Sequence, residues 1–422
     1  MTLAMLTVLS LLALSLLSSP SIQPSTASSA SRSWPMYHQN AQHTGLSPFP
    51  GPAIPFLRWT FQTNGPVRSA PAVGHGRIYV SSEDGNLYAL NLQGDLLWKF
   101  QTPSPIITSP AIGSDGTIYL ASCLRCNYYS PSGPPEGILY AINPSGSLKW
   151  NLTIANTGEG GELSSPTIGP DGTIYTSDIG FRIIAVNPDG TLKWELAAGG
   201  EVFDSPTVGH DGTLYVGIDD DNPSPSLLCA QCMVALNPNG TVRWSLFGLF
   251  GVGPLAVGPD GTIYAGGYAI NHDGTAKWRF PAGYIDSIGR DGTIYISGDS
   301  LYAINPDGTL QWQFTIGGSG GHCITTDCSV TSYVTIQQSS VAIGSNGILY
   351  FGSGVTDSTC SVSGCTRYGA GNLYAMAPNG TLSWKFAVGS TAGLYFSVSD
   401  PAIGSNGTIY VGSSDGNLYA IG

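Results

Sequence analysis

One block of sequence recurs eight times, and that repetition restricts the fold more than any other property of the chain. A complete copy contains Ser-Ala-Pro-Ala-Val-Gly at 69–74, Gly-Arg-Ile-Tyr at 76–79, Leu-Tyr-Ala-Leu-Asn at 87–91 and Leu-Trp-Lys-Phe at 97–100. Each phrase is a short apolar or alternating run, and Asp-Gly, Asn-Gly or Gly-containing turns separate them, which is the chemistry of tight antiparallel hairpins. The Gly-x-Ile/Leu-Tyr phrase starts at Gly76, Gly116, Gly172, Gly212, Gly261, Gly292, Gly347 and Gly407. Four strands per repeat, at a mean period of about 47 residues, predict an all-β, eight-bladed propeller of four-stranded antiparallel blades.

Composition agrees with many short strands and turns. Among 422 residues there are 57 Gly and 29 Pro, with 42% apolar residues, 21 Tyr and 9 Trp. Such a chain can bury large cores, but it leaves no room for long helices. The net charge of -12 argues against a nucleic-acid partner, because neutralising phosphates takes clustered Lys and Arg.

Trp98, Trp150, Trp194, Trp244, Trp278, Trp312 and Trp384 each close a repeat, yet the last repeat ends at Gly422 without one. The missing tryptophan is Trp59, in Phe-Leu-Arg-Trp-Thr-Phe at 56–61, ahead of the first complete repeat. Residues 56–61 are therefore expected to supply the outer strand of the eighth blade and to close the ring. Pro71, Pro110, Pro166, Pro206 and Pro401 recur in the first phrase. Proline cannot donate to a ladder, so that strand is an edge, taken as the innermost one along a central channel. Lys99, Lys149, Lys193, Lys277 and Lys385 adjoin the tryptophans, which marks the fourth strand as the solvent-facing edge.

The segment 1–27 reads as a secretory signal: an apolar run from Leu3 to Leu17, too short to span a bilayer, leads into Ser/Pro/Ala-rich sequence. Residues 28–52 are a lead-in and 53–422 the propeller. The expectation is an exported, monomeric protein, secreted, periplasmic or on the cell surface, without stable membrane insertion.

The Ala-x-Asn-x-x-Gly-x-x-x-Trp register, as in Ala185 to Trp194, and the lead-in Trp-Pro-Met-Tyr-His-Gln-Asn-Ala-Gln-His-Thr-Gly at 34–45 resemble the PQQ-like β-propeller repeat family. That family includes quinoprotein alcohol dehydrogenases and BamB-like secreted propellers. The resemblance covers about residues 34–422. It implies indoles docked between neighbouring blades, and a cofactor position, in the enzymes, where inner strands begin. Here those positions are Arg68, Thr108, Ser164, Asp204, Gly253, Tyr284, Ser339 and Ser399, with Asp286 and Asp400 close behind. One cation facing three carboxylates repels a tricarboxylate quinone unless Ca²⁺ intervenes, so no cofactor and no catalytic residue is expected, and PQQ with Ca²⁺ is the alternative.

Other chemistries find little support. His75, His210 and His272 occupy repeat turns; His38 and His43 belong to the lead-in and read as packing residues rather than metal ligands. The acidic run Asp219, Asp220, Asp221, Asn222 lacks the spacing of an EF-hand. No nucleophile elbow, P-loop or zincin motif occurs, and no defensible carboxylate pair for glycoside hydrolysis. The eight cysteines form local pairs, Cys123/Cys126, Cys229/Cys232, Cys323/Cys328 and Cys360/Cys365. In an exported chain they read as disulfides, neighbouring pairs being the simplest of about 105 connectivities. If any pairs exchange partners, the last two, which both emerge around blade 7, are the ones to do so, and zinc held by the two Cys-x-x-Cys motifs is the alternative.

Insertions at 121–136, 217–230, 352–370 and 313–338 fall on connections that emerge on one face of an up-and-down propeller, while the other face has only tight turns. Long loops gathered on one face of a rigid scaffold form a binding surface. Tyr128, Tyr129, Asp219, Asp220 and Tyr368 are its candidate contacts. The sequence thus points to a non-enzymatic scaffold for a protein or glycan partner, with a PQQ-dependent oxidoreductase and a carbohydrate-active propeller as alternatives.

Overall fold

In the computed structural model the described residues are 32–124, 136–154, 162–178, 182–198, 200–202, 204–218, 232–248, 253–281, 283–298, 300–315, 320–323, 330–361, 364–392 and 397–422. Every regular element among them is a β-strand, and the strands form eight antiparallel blades. Blade 1 shows the plan: Ala72–Gly74 innermost, then Arg77–Ser81, Asn86–Asn91 and Leu96–Gln101 outermost. The middle strands are buried on both faces because each blade is covered by a neighbour on either side. The outer strands alternate between exposed and half-buried positions, as expected where only one face packs.

The turns are built from the repeat's own polar residues. In blade 2 the Asp115 carboxylate accepts from the Thr117 N–H at 2.9 Å, while Gly116, at φ 82°, makes the left-handed step. The outer hairpin carries a second device. Ala185 pairs with Trp194 but Val186 with Leu192, so Lys193 is the extra residue of a β-bulge. The same shift recurs at Lys149, Arg243, Lys277 and Gln311. A bulge re-aims its side chain. Lys149, Lys193 and Arg243 meet Asp115, Asp171 and Asp211 at 3.1, 3.0 and 3.1 Å, and Lys277 meets Asp260 at 3.5 Å. These cations tie the outer strand to the first turn of their own blade, a role beyond the marking of a solvent edge.

Neighbouring blades are joined by the tryptophans. Each of the eight indoles packs against the repeat tyrosine of its own blade at 5.8–6.0 Å, from Tyr79 with Trp98 to Tyr410 with Trp59. Each also donates its N–H to a backbone carbonyl of the next blade: Trp98 to Pro144, Trp150 to Pro188, Trp194 to Pro238, Trp244 to His272, Trp278 to Pro306 and Trp312 to Pro378. Across the seam Trp59 donates to Leu92 and Trp384 to Pro52. The closing strand is Leu57–Gln62, which pairs with Asn417–Ile421 from Leu57 opposite Ile421 to Gln62 opposite Asn417.

Two features depart from the sequence expectation. Residues 352–370 are a hairpin rather than a loop: Leu349–Ser361 and Gly364–Met376 run on as 13-residue strands beyond the blade. Residues 313–338 likewise contain strands Gly320–Cys323 and Val330–Gln338, and the latter pairs with the extended hairpin from Gln338 opposite Ser353 to Val330 opposite Ser361. Blade 7 therefore grows into a larger sheet on that face. Alternating Thr and Ser such as Thr356, Ser358 and Thr359 lack the apolar signature of a strand, which is why the run looks like a loop.

Cysteine placement follows from this register. Cys360 lies directly opposite Cys365, whereas Cys323 is separated from Cys360 by Thr331 on the intervening strand. Two strand spacings, about 9.6 Å, exceed the reach of a disulfide, so Cys323 and Cys360 do not cross-pair. Cys123 and Cys232 are buried and neither is a free thiol. Cys126, Cys229 and Cys328 lie outside the described residues, as do residues 1–31.

Candidate functional site

An eight-bladed ring leaves an axial space that its inner strands alone do not fill, and here the lead-in enters it. Arg32–Trp34 pairs with the inner strand of blade 1. The chain then crosses the axis, and its carbonyls accept from the last residues of five inner strands. Pro35 takes the N–H of Ile112, Ala41 that of Val208, Gln42 that of Val257, Thr44 that of Ile288 and Gly45 that of Ile343, all at 2.7–2.9 Å. Because inner strands end at the tight-turn face, this segment closes the channel at that end. His38, Gln39 and His43 adopt positive φ of 50, 75 and 54°, a conformation that non-glycine residues hold only when surroundings impose it.

The side chains so carried in form a compact cluster. Tyr37 and His38 rings lie 4.0 Å apart between centroids, and His43 is 5.5 Å from Tyr37. His43 is seated between hydroxyls, with Nδ1 2.9 Å from Thr207 Oγ1 and Nε2 3.4 Å from Thr167 Oγ1. Burial lowers His38 to about 4 and His43 to about 3, so both are neutral at pH 7.

Asp204, Asp286 and Asp400, which sequence reading placed at the channel, act electrostatically on Tyr37. Their charges, after burial itself, raise the Tyr37 phenol well above its usual range. Asp286 is the extra residue of an inner-strand bulge, between Ile285 opposite Ile296 and Ser287 opposite Tyr295. Its Oδ1 accepts from the Ser297 hydroxyl at 2.9 Å. Asp400 Oδ1 accepts from the Ser340 N–H at 2.7 Å, and its Oδ2 is 3.9 Å from His38 Nε2. Burial pushes Asp204 up to about 6, and Asp286 and Asp400 are likewise raised, mainly by burial. Arg68, the one cation expected to face them, is instead paired with Glu83 at 3.0 Å. No three His, Cys, Asp or Glu side chains among the described residues are arranged to hold a metal ion.

The second candidate surface is the extended face. Tyr368 stands on the outward part of the blade 7 hairpin, opposite Asp357 in register, with 58% of its surface exposed. Tyr128, Tyr129, Asp219 and Asp220 lie outside the described residues. Sequence reading missed the entry of Tyr37 and His38 into the channel. Its only signal was a tyrosine and two histidines in a segment without strand grammar.

Residues 56–167 and 135–246 match the family described as outer membrane protein assembly factor BamB. No curated protein sequence matches the chain. BamB from Moraxella catarrhalis superimposes with a TM-score of 0.55 at 13% identity, covering 87% of this chain and 97% of that one. The quinohemoprotein alcohol dehydrogenase from Comamonas testosteroni gives 0.56 at 13% identity, with 94% and 81% covered. At such identity the two structures share the fold with this chain.

Proposed function

From the match of residues 56–167 and 135–246 to the family described as outer membrane protein assembly factor BamB, we propose that this chain is an exported, non-enzymatic scaffold of the PQQ-like β-propeller kind that holds a protein partner against its extended face. The observation that carries this reading is the blade 7 sheet. Two 13-residue strands leave the core, add the strand Val330–Gln338 and present Tyr368 to solvent. An exposed aromatic on a rigid projecting element is a typical anchor for a protein surface. The matched family's description as an assembly factor supports a protein rather than a glycan partner, and the apolar leading segment supports export. The local disulfides Cys123/Cys126, Cys229/Cys232 and Cys360/Cys365 would stiffen connections on that face.

The likeness to an alcohol dehydrogenase motivates the competing oxidoreductase reading. The donor set at the channel suits it poorly. A tricarboxylate quinone requires cations, whereas the channel presents Asp204, Asp286 and Asp400, and Arg68 is engaged by Glu83. One experiment separates the two. Absorbance and dye-linked alcohol oxidation are measured on the purified chain before and after adding PQQ and Ca²⁺, alongside in-cell crosslinking of the intact chain and of a variant with residues 354–370 replaced by a tight turn. The scaffold reading expects no quinone spectrum, no oxidation, and a crosslinked partner that the trimmed variant loses. Oxidation abolished by Asp286→Ala would establish the enzyme instead.

A further inference from the structure

Two buried acceptor atoms of the channel cluster described above are left without donors. Asp286 is 3% exposed and its Oδ2 has no hydrogen-bond partner. His38 is also 3% exposed, and its Nε2 likewise has none although it faces Asp400 Oδ2 at 3.9 Å. The other side of the His38 ring is directed to the backbone of His43, so Nε2 carries the lone pair of a neutral imidazole. An acceptor nitrogen facing a carboxylate oxygen, with nothing between them to donate, is an incomplete arrangement. Nearby donors are the hydroxyls of Tyr37, Ser340 and Ser297 and the Ser340 N–H, and they leave Asp286 Oδ2 unsatisfied.

We infer that the axial channel beside the lead-in holds a binding site for a primary ammonium group, formed by Asp286, Asp400 and His38 Nε2 beside the ring of Tyr37. The carboxylates come from blades 6 and 8 and the imidazole from the lead-in, so the three acceptors approach from three directions rather than as a coplanar pair. That suits the three N–H bonds of an ammonium better than a planar guanidinium. A divalent cation needs donors converging at about 2.0–2.6 Å, and no such group of three exists among the described residues. Hydrogen bonds to an ammonium tolerate the wider spacing, and a cation beside an aromatic face is favoured. At the end of the ring opposite the lead-in, Arg68 is 42% and Tyr284 48% exposed. Arg68 and Glu83 at that mouth neutralise each other.

The ammonium comes either from a free alkylamine or from a lysine side chain of a peptide, and two probes distinguish these sources. Titration calorimetry of the full chain at about pH 7.5 uses n-butylammonium in one arm and acetyl-Gly-Lys-Gly-amide in the other. Saturable binding of the first supports a small amine; binding of the peptide alone supports a lysine. In either case Asp286→Asn and Asp400→Asn should weaken binding about ten- to a hundredfold, the worth of a charge-assisted hydrogen bond. Acidification, which protonates carboxyls whose folded values burial raises, should weaken it as well. His38→Asn, which tolerates the positive φ, gives an independent readout if either variant fails to fold, since its ring Nε2 has no hydrogen-bond partner. No binding of either probe, binding unchanged in all folded variants, or Ca²⁺ binding at these aspartates without amine binding would each overturn the assignment.

Discussion

Gly190 and Gly261 share a backbone conformation, with φ of 91 and 80°, and differ in what surrounds them. A Cβ on Gly190 falls 2.7 Å from Trp150 Cδ2, whereas one on Gly261 meets nothing within 4 Å. Gly261→Ala should therefore cost about 1 kcal/mol, the left-handed penalty alone, and Gly190→Ala about 2–4 kcal/mol, because the indole must move as well. Denaturant midpoints of the two variants check this difference. The buried histidines make a prediction about acid. Their folded values, about 4 and 3, lie below the unfolded value near 6.5, so the unfolded chain binds more protons and stability falls as pH drops from about 6.5 toward 3. Asp204, raised to about 6, acts oppositely: its contribution is present at low pH and is lost as pH rises through 6. His43→Asn, which tolerates the left-handed φ, should flatten the acid loss of melting temperature between about pH 6.5 and 4. Asp204→Asn should raise the melting temperature at neutral pH and lose that advantage by about pH 4.

At the scale of elements, the lead-in and the closing strand stabilise different things. The lead-in satisfies five inner-strand N–H groups at the channel end, while Leu57–Gln62 completes a blade. Removing residues 1–54 should cost several kcal/mol, about 1 for each lost backbone hydrogen bond. Removing residues 1–62 should cost more and expose the edge of Asn417–Ile421, so aggregation on heating should accompany the lower melting temperature. Equal melting temperatures for the two truncations would contradict this division of roles. The blade 7 extension belongs to neither group, since the buried Tyr350 and Phe351 lie below it and remain when residues 354–370 are replaced.

For the whole molecule, ring closure makes the seam equivalent to an interior joint. Trp312 donates to Pro378 at 2.8 Å within the chain's own succession of blades, and Trp384 donates across the seam to Pro52 at 3.3 Å. Replacing either with Phe removes one indole donor and should cost about 1 kcal/mol in each case, compared by unfolding midpoints. A much smaller loss at Trp384 would mean that the ring is open there. The net charge of -12 is spread over turn aspartates that four bulged cations, Lys149, Lys193, Arg243 and Lys277, partly neutralise blade by blade.

Repetition made the blade count, the strand order and the closing role of Trp59 legible without coordinates, because each is a matter of local periodicity and of which phrase is missing. Proline placed the inner edge for the same reason: a missing N–H is a property of one residue. The three channel aspartates were visible as strand starts, but their neighbours were not. Whether Arg68 faces Asp286 or Glu83 depends on side chains from different blades, and the path of residues 34–45 across the axis depends on an empty space that exists only once eight blades have closed. The hairpin at 349–376 was hidden because its outer half is rich in Ser, Thr and Gly, and its strands are held by ladder pairing with Val330–Gln338 rather than by apolar burial. Local chemistry determined what each segment of the chain is; ring closure decided which segments meet.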